Sequence, residues 1–172
     1  MQGGILREAM QSIIQTVHSL HQLGMIWTEV KSENFVVMPT GHIKAIDLES
    51  VAAHGECIRC YTAETYPPEF PPNSLYDGLP QIPLVYSFDI WGLGLVLLEI
   101  SIGEPLFTLQ QTYNVDYIKE RLQNPQGIVD EAKQRLQGVE PRARDIILKC
   151  LVVDPTKRST CEELLKDDYF QN

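Results

Sequence analysis

The chain of 172 residues is long enough for one domain with a sizeable core, and its 44% hydrophobic and 22% charged residues are ordinary for a globular protein. Its formal net charge of −9 argues against a nucleic-acid partner, because phosphate backbones are bound by basic patches. No apolar stretch is long enough to span a bilayer and no secretory signal is visible, so we expect an intracellular, cytoplasmic protein without membrane insertion.

The first predicted elements are a helix and a β-hairpin. Apolar residues recur at helical spacing between Leu6 and Leu23, and Gly24 ends the helix. Two short apolar runs then follow, at 35–38 and 42–46, separated by Pro-Thr-Gly at 39–41. This pattern predicts two antiparallel strands joined by a tight turn.

Helices are predicted to dominate the remainder of the chain. An irregular segment rich in proline and glycine separates them from the hairpin. The periodicity places the helices at 89–102, about 115–123, about 129–136, 141–152 and 160–167. Thr160 and Glu163 have the spacing of a capping box at the start of the last helix. No internal repeat or low-complexity linker divides the chain, so we predict a single unit.

Polar residues cluster where the hairpin begins and ends. Asn34 precedes the first strand and Asp47 follows the second, so the hairpin should bring them together. Glu29 and Lys31 lie just before Asn34 in the chain. Carboxylate and amide oxygens suit Mg²⁺, and the lysine suits a phosphate group. The pattern therefore predicts a cleft that holds a metal-bound phosphate.

The motifs of this chain resemble, in the same order, those of the protein-kinase large lobe. Residues 27–34, Trp-Thr-Glu-Val-Lys-Ser-Glu-Asn, resemble the catalytic loop H-R-D-L-K-x-x-N, and Asp-Leu-Glu at 47–49 resembles the metal-binding D-F-G. Three further segments resemble the substrate-docking segment ending in A-P-E, the start of the buried central helix and the D-P-x-x-R-x-T near the end of the lobe; they are residues 62–69, 89–94 and 154–160.

The resemblance implies a mainly α fold, the C-terminal large lobe of a serine/threonine-type kinase, with a small β-hairpin at the catalytic cleft and no small lobe. Residues 1–172 then form one domain. Within it, the resemblance places the catalytic loop at about 25–34, the metal motif at 47–49, the activation segment at about 47–69 and the helical remainder at 89–170.

The resemblance also assigns roles at the cleft. Glu29 stands where the family has its catalytic base, and Lys31 matches the lysine that contacts the transferring phosphate. Asn34 and Asp47 match the residues that hold Mg²⁺ and, through it, ATP. Thr62 matches a threonine of the substrate-docking segment that hydrogen-bonds both the catalytic carboxylate and the lysine.

Other matched residues have structural roles in the family. Glu69 and Arg158 match a buried ion pair between the docking segment and the far end of the lobe. Asp89 matches the residue that holds the backbone of the catalytic loop. His21 matches a packing position, and we interpret it as structural rather than as a ligand.

Four departures from the family pattern leave two functions open. Trp27 replaces a histidine, Thr28 an arginine, Glu29 an aspartate and Glu49 a glycine. One function is a serine/threonine protein kinase that uses Mg²⁺ and ATP to phosphorylate proteins, which the matched residues at the cleft favour. The other is a pseudokinase that binds a regulatory protein or acts as a scaffold, which these four departures favour.

A complete kinase also carries a Gly-rich phosphate loop and a V-A-I-K lysine before the catalytic loop. The roughly two dozen residues that precede the catalytic loop in this sequence read as a helix instead. We therefore expect that these 172 residues alone do not transfer phosphate.

Overall fold

The fold is built mainly from helices, as predicted. The computed structural model describes residues 2–59, 62–71 and 81–171. Its helices are α1 (Gln2–Gln22), α2 (Ser87–Ile102), α3 (Leu109–Thr112), α4 (Val115–Gln123), α5 (Pro125–Arg135), α6 (Pro141–Cys150) and α7 (Cys161–Leu165). The predicted activation segment includes residues 60 and 61, which lie outside the described residues.

Four short strands form two antiparallel pairs within the described part of the chain; they are β1 (Met25–Ile26), β2 (Phe35–Val37), β3 (Ile43–Ala45) and β4 (Ala52–Ala53). The pairing of β2 with β3 is the predicted hairpin, with Phe35 opposite Ala45. The pairing of β1 with β4, with Met25 opposite Ala53, was not predicted. It connects the start of the predicted catalytic loop to the segment after the predicted metal motif.

Helix α2 is the centre of the hydrophobic core. Its residues from Phe88 to Leu98 are all buried, because the helix is apolar on every side and is surrounded by other elements. It packs against α1 and α6. Gly103 ends it in the left-handed conformation, with φ +81°, and donates its N–H to the Glu99 carbonyl.

Two glycines of α2 let its neighbours approach closely. A Cβ atom on Gly92 would lie 2.8 Å from the backbone carbonyl oxygen of Val30, in the predicted catalytic loop. A Cβ atom on Gly94 would lie 2.8 Å from the side chains of Cys150 and Leu151. The position of the loop against the core therefore depends on a residue without a side chain at position 92.

Polar caps set the ends of the outer helices. Thr160 and Glu163 form the predicted capping box of α7. Helix α5 begins at Pro125 rather than near residue 129, because the Asn124 side chain accepts the N–H of Gly127 and proline suits the first helical position. The short helix α3 was not predicted. Across the described residues, the helices are all too short or too polar to cross a membrane.

Candidate active site

Asp89 holds the backbone of the predicted catalytic loop. It is 1% exposed in the first turn of α2, and its two carboxylate oxygens accept the N–H groups of Trp27 and Thr28, each at 2.8 Å. The Nε2 atom of His21 lies 2.9 Å from the same carboxylate. Hydrogen bonds to a buried, charged carboxylate are stronger than those between neutral groups, so they hold the loop against the central helix. His21 has the structural environment that its sequence position suggested.

The loop itself adopts a strained backbone. Thr28 has a φ of +69°, which is rare for a β-branched residue and typically costs about 1–3 kcal/mol. Its Oγ1 donates to the Ser50 carbonyl at 3.2 Å, and the Ser50 hydroxyl donates to the Trp27 carbonyl at 2.7 Å. Both Thr28 and Ser50 are buried. Neutral hydrogen bonds, rather than an arginine, therefore connect the loop to the segment that follows the metal motif.

Glu29, Lys31 and Thr62 form a compact group on the open side of the loop. The Thr62 hydroxyl donates to Glu29 Oε1 at 2.9 Å and accepts from Lys31 Nζ at 3.1 Å. Lys31 Nζ lies 3.7 Å from the same Glu29 oxygen. The Glu29 side chain is 17% exposed and that of Lys31 25%, so both groups are held in place yet reach solvent. A carboxylate and an ammonium group therefore lie side by side, in an arrangement that can position the hydroxyl of one ligand beside the phosphate of another.

The hairpin brings Asn34 and Asp47 to the same end. The Ile46 N–H donates to the Asn34 carbonyl at 2.9 Å, which leaves Asp47 one residue beyond this contact. Asn34 is buried, and its Nδ2 donates to the Glu29 carbonyl at 3.0 Å. This hydrogen bond fixes the amide group, so that its Oδ1 is the atom available to a ligand. Asp47 is exposed and has a φ of +57°.

The residues at this end of the hairpin fit a magnesium ion bound with nucleotide. An amide oxygen and a carboxylate are hard oxygen ligands, and Mg²⁺ usually takes one or two such protein ligands and completes its shell with water and phosphate. Glu49, two residues beyond Asp47, is exposed. Within the described ranges, histidine, cysteine, aspartate and glutamate side chains form no group of three that could hold a metal by themselves. The site therefore suits a metal that arrives with phosphate rather than a closed structural metal site.

The Trp27 side chain takes part in the site in a way that sequence reasoning missed. Its ring is fully buried and packs edge-to-face against Phe35, with 5.2 Å between ring centroids. Its Nε1–H donates to the backbone carbonyl of Asp47 at 3.0 Å. The sequence marks Trp27 only as a departure from the family pattern, and a hydrogen bond to a backbone atom 20 residues away leaves no signal there.

A small acidic pocket lies beside Lys31. It has a volume of about 120 Å³, and its lining includes Glu33, Glu64 and Glu99 together with the apolar Phe107. Burial raises the pKa of Glu64, and the negative charges of Glu33 and Glu29 raise it further. Glu33 is exposed, whereas Glu64 and Glu99 are half-buried, and together the three carboxylates give this pocket a negative character next to the lysine.

Glu69 and Arg158 form the ion pair that the sequence indicated. Arg158 Nη1 and Nη2 donate to the two Glu69 carboxylate oxygens at 2.8 and 3.0 Å. The arginine side chain is fully buried and also donates to the carbonyls of Val152 and Ser87. It lies over the Trp91 ring, 5.2 Å from the centroid. The pair joins the predicted docking segment at 62–69 to the predicted motif at 154–160.

Comparisons with known proteins agree with this architecture. The sequence matches the protein kinase domain family over residues 1–170. It is 28% identical over 194 residues to human cyclin-dependent kinase-like 2, covering 97% of this chain and 38% of that protein. It is 30% identical over 178 residues to probable serine/threonine-protein kinase fhkD of Dictyostelium discoideum, covering 96% of this chain and 23% of that one. The chain thus spans less than half the length of these curated relatives.

Among solved structures, the fold is similar to the ROP18 kinase domain in complex with AMP-PNP and sucrose. The TM-score is 0.74 at 20% sequence identity, and the match covers 98% of this chain and 42% of that one. A likeness at this level of identity supports the fold.

Proposed function

The chain belongs to the protein kinase domain family, and we propose that it forms the large lobe of a serine/threonine protein kinase. In this proposal the complete protein transfers phosphate from ATP to a protein substrate and depends on Mg²⁺. The 172 residues supply the base, the phosphate-contacting lysine and the metal ligands. These residues lack the Gly-rich loop and the strand lysine of a complete kinase, so we expect no phosphotransfer from them alone.

The observation that carries this proposal is the group formed by Glu29, Thr62 and Lys31. Phosphoryl transfer depends mainly on positioning and on neutralising charge. A carboxylate hydrogen-bonded at 2.9 Å, with an ammonium group 3.7 Å away, supplies both functions at one place. Thr62 belongs to the segment that docks the substrate, so this hydrogen bond also aligns that segment with the base.

In the proposed reaction, Glu29 accepts the proton of the substrate hydroxyl as the hydroxyl oxygen forms a bond to the terminal phosphorus of ATP. The bond between that phosphorus and the bridging oxygen breaks at the same time, and ADP leaves. Lys31 neutralises negative charge on that phosphate group. Asn34 and Asp47 would hold Mg²⁺, which would supply positive charge that offsets the charge of the ATP phosphates. Glutamate is one methylene longer than the aspartate of the family, and its hydrogen bond with Thr62 fixes where the longer side chain ends.

A pseudokinase is the second candidate, and one feature favours it. The family places glycine two residues beyond the metal-binding aspartate, whereas this chain has the negatively charged Glu49 there, exposed on the same segment as Asp47. A further negative charge at this position opposes the phosphates of ATP. In this second reading the lobe keeps its fold and binds a regulatory protein.

Nucleotide binding and phosphotransfer by the natural full-length protein separate the two candidates. We expect Mg²⁺-dependent ATP binding, measured by calorimetry, and transfer of radiolabelled phosphate to a serine- or threonine-containing protein. Asp47→Ala should abolish both, whereas Glu120→Gln, at an exposed glutamate on α4, should change neither. A full-length protein that binds no nucleotide at any Mg²⁺ concentration would favour the pseudokinase.

A further inference from the structure

The carboxylate of Glu131 on α5 accepts hydrogen bonds from two arginines. Arg121 of α4 donates to its Oε2 at 2.6 Å, and Arg135 at the end of α5 donates to its Oε1. The side chains of the three residues are 23–31% exposed, so water screens their charges less than at the open surface. Because both guanidinium groups contact the same carboxylate, its loss would leave two positive charges close together.

The two arginines extend this network to the segment between α2 and α3. Arg135 Nη1 donates to the Pro105 carbonyl at 3.0 Å, and Arg121 lies over the Phe107 ring with its Cζ 5.6 Å from the centroid. The described residues 103–108 form neither helix nor strand, so contacts with other elements hold them in place. One carboxylate on α5 therefore acts on this segment at two points.

This segment supplies an apolar wall of the acidic pocket beside Lys31. Residues 105–107 line the pocket together with Lys31 and Glu64. Helix α4, which carries Arg121, also contacts the predicted docking segment at Ala63–Thr65. The wall of the pocket and the docking segment are therefore both supported by the helix that Glu131 binds.

We propose that Glu131 is a positioning residue for the protein substrate: by binding Arg121 and Arg135 together, it holds the wall at 105–107 beside Lys31, where the substrate chain would lie. The inference rests on the proposed function for the substrate, whereas the position of the wall can be measured without any activity. Glu131 lies outside the lining of the pocket and acts through the two arginines.

Removing the charge of Glu131 while keeping the size of the side chain tests this inference. Glu131→Gln is the variant, because an amide has one oxygen and cannot accept from both arginines as a carboxylate does. Asp130→Asn is the matched control, since it removes a carboxylate from the next position of the same helix, where the side chain is 62% exposed. Both are made in the natural full-length protein.

The first measurement is limited digestion with chymotrypsin, with the cleavage sites identified by mass spectrometry. Phe107 is 6% exposed and its bond should resist cleavage, whereas Tyr113, 81% exposed, provides the reference site. Relative to Tyr113, cleavage after Phe107 should be about 10-fold faster in Glu131→Gln and unchanged in Asp130→Asn, since proteolysis follows the population of the open state. The bond after the buried Trp91 should stay intact, which shows that the core remains folded. Unchanged cleavage after Phe107 in Glu131→Gln would overturn the inference.

The second measurement separates a role in substrate binding from a merely structural one. The probe is a fluorescent, lysine- and arginine-rich peptide with one serine, chosen because the pocket is negative, and its affinity is followed by fluorescence anisotropy. Glu131→Gln should weaken peptide binding about 10-fold, the effect of one lost hydrogen bond to a charged group, and leave the ATP affinity within about twofold. Asp130→Asn should change neither.

The outcomes distinguish this inference from the proposed function. Equal peptide affinity in wild type and Glu131→Gln would make Glu131 a structural residue only and overturn the inference, as would a wild-type protein that does not bind the peptide. A wild-type protein that binds the peptide and transfers no phosphate would count against the proposed function, and the effect of Glu131→Gln on peptide binding would still decide the role of Glu131.

A second variant covers the case in which Glu131→Gln does not fold. Arg135→Lys keeps the positive charge, but a single ammonium group lacks the planar fork that binds Glu131 and the Pro105 carbonyl together. Peptide affinity should fall about 3-fold in this variant, with the ATP affinity unchanged. Wild-type peptide affinity in a folded Arg135→Lys protein would overturn the inference.

Discussion

The hydroxyl of Thr62 donates a hydrogen bond to the carboxylate of Glu29 over 2.9 Å, although 33 residues separate them in sequence. The contact connects the predicted base with the predicted docking segment. It also limits where the Glu29 carboxylate can lie, which matters because glutamate has one more rotatable bond than aspartate. One hydrogen bond therefore joins the segment proposed to bind substrate to the residue proposed as the base.

The first prediction concerns this hydrogen bond. Thr62→Val keeps the shape of the side chain but removes the hydroxyl. Hydrogen bonds to charged groups contribute about 1.5–3 kcal/mol, so kcat of the natural full-length protein should fall roughly 10- to 100-fold. The KM for ATP should change little, since Thr62 lies with Glu29 and Lys31 rather than with Asn34 and Asp47. Thr62→Ser, which keeps the hydroxyl, should retain most of the activity; an equal loss in both variants would contradict a role for the hydrogen bond.

The second prediction tests Glu29 as the base. Glu29→Gln keeps the hydrogen-bond acceptor for Thr62 but removes the charge and the basicity. General-base catalysis contributes roughly 10²–10⁴-fold, so turnover in a radiolabel assay of the full-length protein should fall by about that much. Glu120→Gln, on the exposed side of α4, is the control for loss of a glutamate charge. A robust activity that survives Glu29→Gln would remove Glu29 from the mechanism.

The third prediction concerns the stability of the lobe. Arg158→Ala removes a fully buried partner and leaves the Glu69 carboxylate uncompensated, which should cost about 3–5 kcal/mol of unfolding free energy. Arg59→Ala is the matched control, because Arg59 pairs with Glu56 at the surface, with the arginine 64% exposed. Exposed pairs contribute about 0–1 kcal/mol, so urea denaturation should separate the two variants clearly. Similar losses in both would mean that the Arg158 pair gains nothing from burial.

The hairpin shows what the sequence specifies well. Two apolar runs and a tight turn determine the register, and the register places Asn34 beside the residue that precedes Asp47. The central helix was also predictable, since its apolar residues on all sides favour burial. Its start at Ser87 and its end at Ile102 lie within two residues of the predicted bounds.

Contacts through single backbone atoms were not predictable. The strands β1 and β4 have two residues each, too few for any alternation to appear, and they pair only because the core holds both segments in place. The hydrogen bond from Trp27 to the Asp47 carbonyl was unpredictable for the same reason, because it depends on how the core places the two segments. The start of α5 was predictable in part. Hydrophobic periodicity alone places it four residues too late, whereas the Asn-Pro pair at 124–125 is a recognisable signal for a helix start.

The fourth prediction concerns the close approach of α2 to the predicted catalytic loop. In Gly92→Ala the new Cβ would meet the Val30 carbonyl oxygen at 2.8 Å, and backbone atoms cannot turn away as a flexible side chain can. Overpacking of this kind typically costs about 1–3 kcal/mol, so urea denaturation should show a loss in that range. Gly4→Ala is the control, since a Cβ at this helical position meets nothing within 4 Å. The Gly4→Ala variant should have the stability of the wild type or be up to about 1 kcal/mol more stable. If Gly92→Ala caused no loss of stability, the predicted catalytic loop would be able to move away from α2.

The last prediction follows from the raised pKa of Glu64 and concerns how stability depends on pH. The pKa is raised above its ordinary value of 4.5 first by burial and then by the nearby charges of Glu33 and Glu29. The folded chain therefore holds this proton more tightly than the unfolded chain does, and the contribution of Glu64 to the free energy of unfolding falls as the pH rises from 4.5 through the raised value. Glu64→Gln cannot ionise, so it should melt at a higher temperature than the wild type at neutral pH, and the difference should disappear at pH values below 4.5. Glu120→Gln should show no such dependence, because that side chain is exposed in both variants. Melting curves recorded between pH 4 and pH 8 test this expectation. A difference in melting temperature in favour of Glu64→Gln that grows towards acidic pH would contradict it. Such a result would mean that the folded chain stabilises the charged carboxylate and that the pocket beside Lys31 is not negative in character.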